Sequence, residues 1–213
     1  MRDDSSEWLA FELKLLPRPE DLLLSLELAK TVWTSGDRGV EALGPFSVLG
    51  ELSMLVRHAT GRDRQSLSNL HSRYSSAVAD AVREAGPNLK KAVLQELDYK
   101  IAVPEGILSD LDSLTDSEIL EQYELYEIED EFFHFLESAM YVITGIELMG
   151  LSLDLSGFRE RLAAIREEWY EFAPRIARLF RESLQGERLR RMTLVPREFW
   201  WERILADATD QFR

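Results

Sequence analysis

Apolar residues recur along most of the chain at steps of three and four, the spacing of one face of an α-helix. Leu22, Leu26, Ala29 and Trp33 mark a helix over 19–34. Pro19 suits its first position, and Glu20 and Asp21 suit its first turn. Val48, Leu52, Leu55 and Ala59 mark a second helix, opened by Pro45 and ending near Gly61. Leu67, His71, Tyr74, Val78 and Ala81 or Val82 mark a third over 64–85, stopped by Gly86. Leu89, Val93, Leu97 and Ile101 or Lys100 predict a fourth from Pro87 to about Ala102. Val103-Pro104-Glu105-Gly106 reads as a break before a short helix over 107–113. Residues 5–16 fit a helix through Trp8, Phe11 and Leu15, or a strand through Phe11, Leu13 and Leu15. Helix is favoured, because Met192–Val195 is the only other strand candidate.

The longest pattern runs from Thr115 to Gly150. Thr115 followed by Glu118 has the capping-box spacing, and only Gly145 interrupts the run before Gly150. Leu125, Ile128, Phe132, Phe135, Ala139, Val142, Ile146 and Met149 form one seam, and Phe133, Leu136, Met140 and Ile143 a second. A helix apolar on two sides packs against more than one neighbour. After a short link, Phe158, Leu162, Ile165, Trp169, Phe172, Ile176 and Leu179 predict a partner helix over 155–185, interrupted by Pro174. Pro196 opens a last helix to about Asp210. The expected fold is all-α: a bundle of seven to nine helices built on a long antiparallel αα-hairpin, about 115–150 and 155–185. The organisation expected is one domain over 1–213, or subdomains 1–103 and 104–213.

Charge is placed unevenly. The chain has 213 residues and a formal net charge of −14. Between Ile101 and Phe158 there are 14 acids and no Lys or Arg, so that segment accounts for the whole net charge. Asp116, Glu118, Glu121, Glu124, Glu127, Glu129, Asp130 and Glu131 crowd its first helical half. Arg175, Arg178, Arg181, Arg188, Arg190 and Arg191 crowd the end of the partner helix and the residues just beyond it. Folding the hairpin at Ser152 sets 116 opposite 188, 126 opposite 178 and 129 opposite 175, which predicts an Arg175 or Arg178 partner for Asp130. There is no cysteine, which excludes disulfides and thiolate chemistry and fits a cytoplasmic protein. The longest apolar run, broken by Glu147, is too short and too polar for a membrane span. The acidity disfavours nucleic acid.

Few residues suggest chemistry. Glu131-Phe-Phe-His134 has the Glu-x-x-His spacing that di-iron bundles use, but those sites need two such motifs and two more glutamates. The favoured role is a polar line with Glu127 and Tyr141 on a buried helix, and no metal or cofactor is expected. His58 sits at a helix C-terminus, where the dipole favours it. The glycines of Ser35–Gly44 lack the Lys-Ser/Thr ending of a phosphate-binding loop.

Arg64 and His71 stand seven positions apart. This spacing resembles the Arg-x4–6-His signature of the HEPN ribonucleases, which are also all-α, although Gln65 stands where that family usually has Asn or Asp. The resemblance covers eight residues. It implies metal-independent RNA cleavage, with His71 as acid/base and Arg64 as phosphate clamp across a dimer interface. The favoured expectation is a non-enzymatic interaction or adaptor protein. Glu118, Glu121, Glu124 and Glu131 would present an acidic face to a basic protein partner or a second copy of the chain. Trp200 and Trp201 would add an aromatic contact, because Phe199, Trp200 and Trp201 cannot all face one core.

Overall fold

The computed structural model describes residues 16–35, 39–122 and 125–183, without the side chains of 40, 122, 125–131, 133, 177 and 180–183. The expectations for 5–16, for Met192–Val195 and for the last helix with Trp200 and Trp201 lie outside the described residues. Among those described there are seven α-helices, one short 3-10 turn and no strand. The helices are α1 (Pro19–Ser35), α2 (Gly44–His58), α3 (Gly61–Glu84), α4 (Asn88–Ser113), α5 (Asp116–Gln122), α6 (Leu125–Leu148) and α7 (Ser156–Ser183); the 3-10 turn is Val40–Ala42. No helix among them is long and apolar enough to cross a membrane. The described residues fall into two compact units. The first lies within Met1–Tyr99 and Ser138–Leu155, the second within Lys100–Glu137 and Ser156–Arg213.

In the first unit α1 buries the four residues that the period selects, Leu22, Leu26, Ala29 and Trp33. Trp33 is fully enclosed, lies 5.6 Å from the Phe46 ring, and donates its Nε1–H to the Ala42 carbonyl at 3.0 Å. One indole therefore ties α1 to both the 3-10 turn and α2. Glu96 on α4 is the one buried charged side chain among the described residues, and it accepts the Gly39 backbone N–H at 3.1 Å.

Helix α2 packs against α1 and α3. It buries more than one stripe: Pro45, Phe46, Leu49, Gly50, Leu52, Met54 and Leu55 are all enclosed, while the expected Val48 is only half-buried. The reason is a third neighbour. A Cβ on Gly50 would collide with the backbone of Tyr141, 2.7 Å from its Cα, and a Cβ on Gly145 would collide with the backbone of Phe46, 2.6 Å from its carbonyl carbon. The pairs Gly50/Tyr141 and Phe46/Gly145 run in opposite senses, so α2 and the end of α6 cross antiparallel. Each helix supplies a glycine where the other's main chain passes. The axes are therefore closer than the roughly 8–10 Å of ordinary helix pairs. Tyr141 closes the crossing by donating its hydroxyl to Met54 Sδ at 3.4 Å.

Helix α6 ends as expected at Gly150, which takes φ 63°. Gly150 N–H donates to the Glu147 carbonyl and Leu151 N–H to the Ile146 carbonyl, the two bonds of a Schellman motif.

One expectation is corrected. The break at 103–106 is absent, and α4 runs straight through Pro104. Proline removes the amide that would bond the Lys100 carbonyl. However, Leu97, Ile101, Pro104, Leu108 and Leu111 are all buried at steps of four and three. The ring is thus part of the apolar seam that holds the helix together. The run from Thr115 to Gly150 is described as α5 and α6, on either side of 123–124, which lie outside the described residues.

In the second unit α5 packs on α7. Phe132 of α6 is fully buried and stacks on Trp169 of α7, centroids 4.4 Å apart. The α7 seam is spaced as expected. Ile165, Trp169, Ile176 and Leu179 are buried, and Phe158, Leu162 and Phe172 half-buried.

Candidate functional site

The acidic segment begins at a capping box. Glu118 Oε2 accepts the Thr115 backbone N–H at 2.8 Å and its hydroxyl at 2.7 Å, and the Glu118 N–H donates back to Thr115 Oγ1 at 3.4 Å. These bonds favour the charged carboxylate and hold its pKa below the ordinary value, the Thr115 side chain contributing most. Glu118 thus starts a helix as well as charging the face. Further along α5, Ile119 is fully buried and anchors it, whereas Leu120 and Glu121 are exposed.

Among the described residues, Arg161 and Arg175 of α7 meet this segment. Arg161 forms a two-pronged pair with Glu105, Nε to Oε1 and Nη2 to Oε2 both at 2.7 Å. Arg175 donates Nε–H to Asp116 Oδ1 at 2.8 Å, and its Nη1 and Nη2 reach the carbonyls of Leu111 and Leu114 at 3.0 and 2.9 Å. Those carbonyls belong to the end of α4, where helical partners run out. Arg175 therefore caps α4 with its positive charge and holds the first acid of α5 at the same time.

This corrects the expected register, which set residue 116 opposite 188. Phe132 on Trp169 stays close to the alignment expected of one folded pair. The side chains of Glu124, Glu131 and Asp130 lie outside the described residues; Arg175, offered as a partner for Asp130, is engaged with Asp116.

The Glu131-x-x-His134 pair is described only at His134. That imidazole is exposed and meets the edge of Phe135 at 5.9 Å, and Lys100 Nζ sits 5.5 Å from the centre of the Phe135 ring. Among the described residues no group of three or more His, Asp or Glu is placed to hold a metal ion.

Arg64 and His71 both lie on α3, in the first unit. Arg64 is exposed in its first turns. His71 is half-buried two turns later, and its Nε2 is enclosed without a hydrogen-bond partner. The Tyr74 hydroxyl and Ser75 Oγ, one turn on, are enclosed in the same way. Sequence reasoning places His71 and Tyr74 on the core face but does not single out Ser75, four positions beyond His71 on the same side of the helix. Burial lowers the His71 pKa and raises that of Tyr74, so both are held neutral.

This makes stability depend on pH. A histidine whose folded pKa is depressed gives stability that is complete above its unfolded value, about 6.5. That stability drains as pH falls through about 6.5 toward the folded pKa. Acid titration of the melting temperature should show this loss in the wild-type chain and a flatter profile in His71→Gln. Identical profiles would mean that the imidazole is not held neutral by the fold.

Compared with protein-family models, with curated proteins and with solved structures, the chain matches none.

Proposed function

We propose that this is a non-enzymatic helical interaction protein of the cytoplasm that offers its acidic segment to the basic face of a protein partner. The observation that carries the proposal is how the segment is held. Ile119 fastens α5 from one side, and Arg161 and Arg175 are committed to Glu105 and Asp116. Glu121 and Leu120 remain exposed on α5, ahead of Glu124, Glu127, Glu129, Asp130 and Glu131 in sequence. A surface of one sign raises the encounter rate with a cationic partner, and does so less as salt rises, because the screening length is about 8 Å at physiological ionic strength.

Glu121→Lys with Glu124→Lys should leave the helical circular-dichroism spectrum unchanged. It should weaken capture of a co-purifying basic protein at least tenfold, with association slowed by added salt in the wild type. Unchanged capture of every co-purifying protein would remove the acidic face as a binding site. Trp200 and Trp201 are proposed as an additional aromatic contact, with that partner or with a second copy.

A second reading rests on His71. A neutral imidazole with an unpartnered Nε2, on the same helix as Arg64, is compatible with a metal-independent ribonuclease of the HEPN kind. RNA cleavage by purified protein that disappears in His71→Ala and Arg64→Ala would replace the interaction reading with this one.

A further inference from the structure

Three enclosed polar atoms lie close together along α3: His71 Nε2, the Tyr74 hydroxyl and Ser75 Oγ. None has a hydrogen-bond partner in the chain. Tyr74 as a whole is only 3% exposed, so its hydroxyl does not reach bulk solvent. An enclosed polar group without a partner costs roughly tenfold in the folding equilibrium, and native folds keep few of them. Three on neighbouring positions of one helix point to a shared partner.

The spacing shows what kind of partner. Side chains three and four apart on a helix start roughly 5–6 Å from one another. That is too far for a direct bond, and it is about the length of two hydrogen bonds meeting at one oxygen. Elsewhere in the chain Thr31, Thr34 and Thr144 turn their hydroxyls back to the carbonyl four residues earlier, the ordinary solution in a helix. Ser75 does not. The occupant is neutral: the three groups include no carboxylate to hold a cation, and burial keeps His71 uncharged, so none holds an anion. It is small, because all three atoms are closed off from solvent. It both donates and accepts, because the ring nitrogen and the two hydroxyls offer both kinds of site.

We propose that α3 holds an ordered internal water that bridges His71 Nε2 to the Tyr74 hydroxyl and Ser75 Oγ. Internal waters make about three hydrogen bonds, to groups that otherwise have none. Two hydroxyls and one ring nitrogen fill that number. The site stands apart from the acidic face, and it takes up the ring nitrogen that RNA cleavage would need.

Tyr74→Phe in the full chain removes one oxygen and keeps the ring, so its sign is the test. A hydroxyl bonded to the water makes the change destabilising, with the unfolding equilibrium constant raised roughly threefold to tenfold. A hydroxyl enclosed without a partner would make the same change neutral or stabilising, which overturns the proposal. Ser75→Ala should raise the constant at least about threefold relative to Ser76→Ala, an exposed neighbour with the same gain in helix propensity. Equal effects at the two serines would overturn it. Because both hydroxyls bind one molecule, Tyr74→Phe combined with Ser75→Ala should depart from the product of the single effects by at least about twofold. A simple product would overturn the shared site. A crystal structure of the wild-type chain should show a single oxygen within about 3.2 Å of His71 Nε2 and both hydroxyls. A larger molecule there, or hydrogen bonds made directly among the three groups, would also overturn it.

Discussion

Gly145→Ala lowers the unfolding free energy by about 2–3 kcal/mol, and Gly145→Val by more, because the added carbon lands on main chain that cannot move aside. The sign is what makes this informative. In a helix interior alanine ordinarily gains about 0.5–1 kcal/mol over glycine. Gly145 lies inside α6, so propensity predicts a gain and the crossing with α2 predicts a loss. The colliding atoms belong to the Phe46 backbone, within a helix that is itself enclosed on several sides. The same reversal is expected at Gly50, which meets the Tyr141 backbone. Gly106 in α4 serves as the control. It is exposed, and a Cβ placed there would have nothing within 4 Å, so Gly106→Ala should stabilise by the ordinary amount. Denaturant midpoints at constant m-value measure all three. A stabilising Gly145→Ala would mean that the two helices do not pass this closely.

Trp33→Ala should cost about 3–5 kcal/mol, the range for deleting a large enclosed aromatic. For a domain whose total stability is on the order of 5–15 kcal/mol, that is a large share. Trp33→Phe separates the two contributions. Phenylalanine keeps most of the apolar contact with Phe46 but leaves the Ala42 carbonyl without its donor, which costs about 1–3 kcal/mol. The difference between the two variants measures packing. If Trp33→Phe is as damaging as Trp33→Ala, the indole acts through its hydrogen bond to the 3-10 turn. Equal stability of Trp33→Phe and wild type would mean that the bond contributes nothing.

Features governed by neighbours in the chain are legible in the sequence. The core face of α1, the Thr115–Glu118 box and the stop at Gly150 all depend on residues within two turns of one another. Features governed by distant residues are not. Pro104 carries the local signal of a break, yet it lies on a buried seam whose neighbours hold the helix together. Gly145 looks like a tolerated flaw until Phe46, far away in sequence, is placed against it. A single stripe on α2 favours Val48 over Phe46 and Leu49, whereas several neighbours enclose that helix. The same division runs through the candidate site. The concentration of acid on 116–131 is a property of sequence, but the assignment of Arg175 to Asp116 depends on where α5 and α7 meet.

The first unit is not built from one uninterrupted stretch of chain: it takes Ser138–Leu155 from beyond the residues that enter the second. During synthesis this imposes an order. When Tyr99 has emerged from the ribosome, α2 still lacks the glycine face of α6 that crosses it, and Phe46 and Gly50 have no main chain against them. At about 5–20 residues per second, the missing piece arrives several seconds later. Through that interval the apolar side of α2 is open to nascent-chain chaperones, and a message that stalls between the two codons for Tyr99 and Ser138 would yield a fragment unable to close its own core.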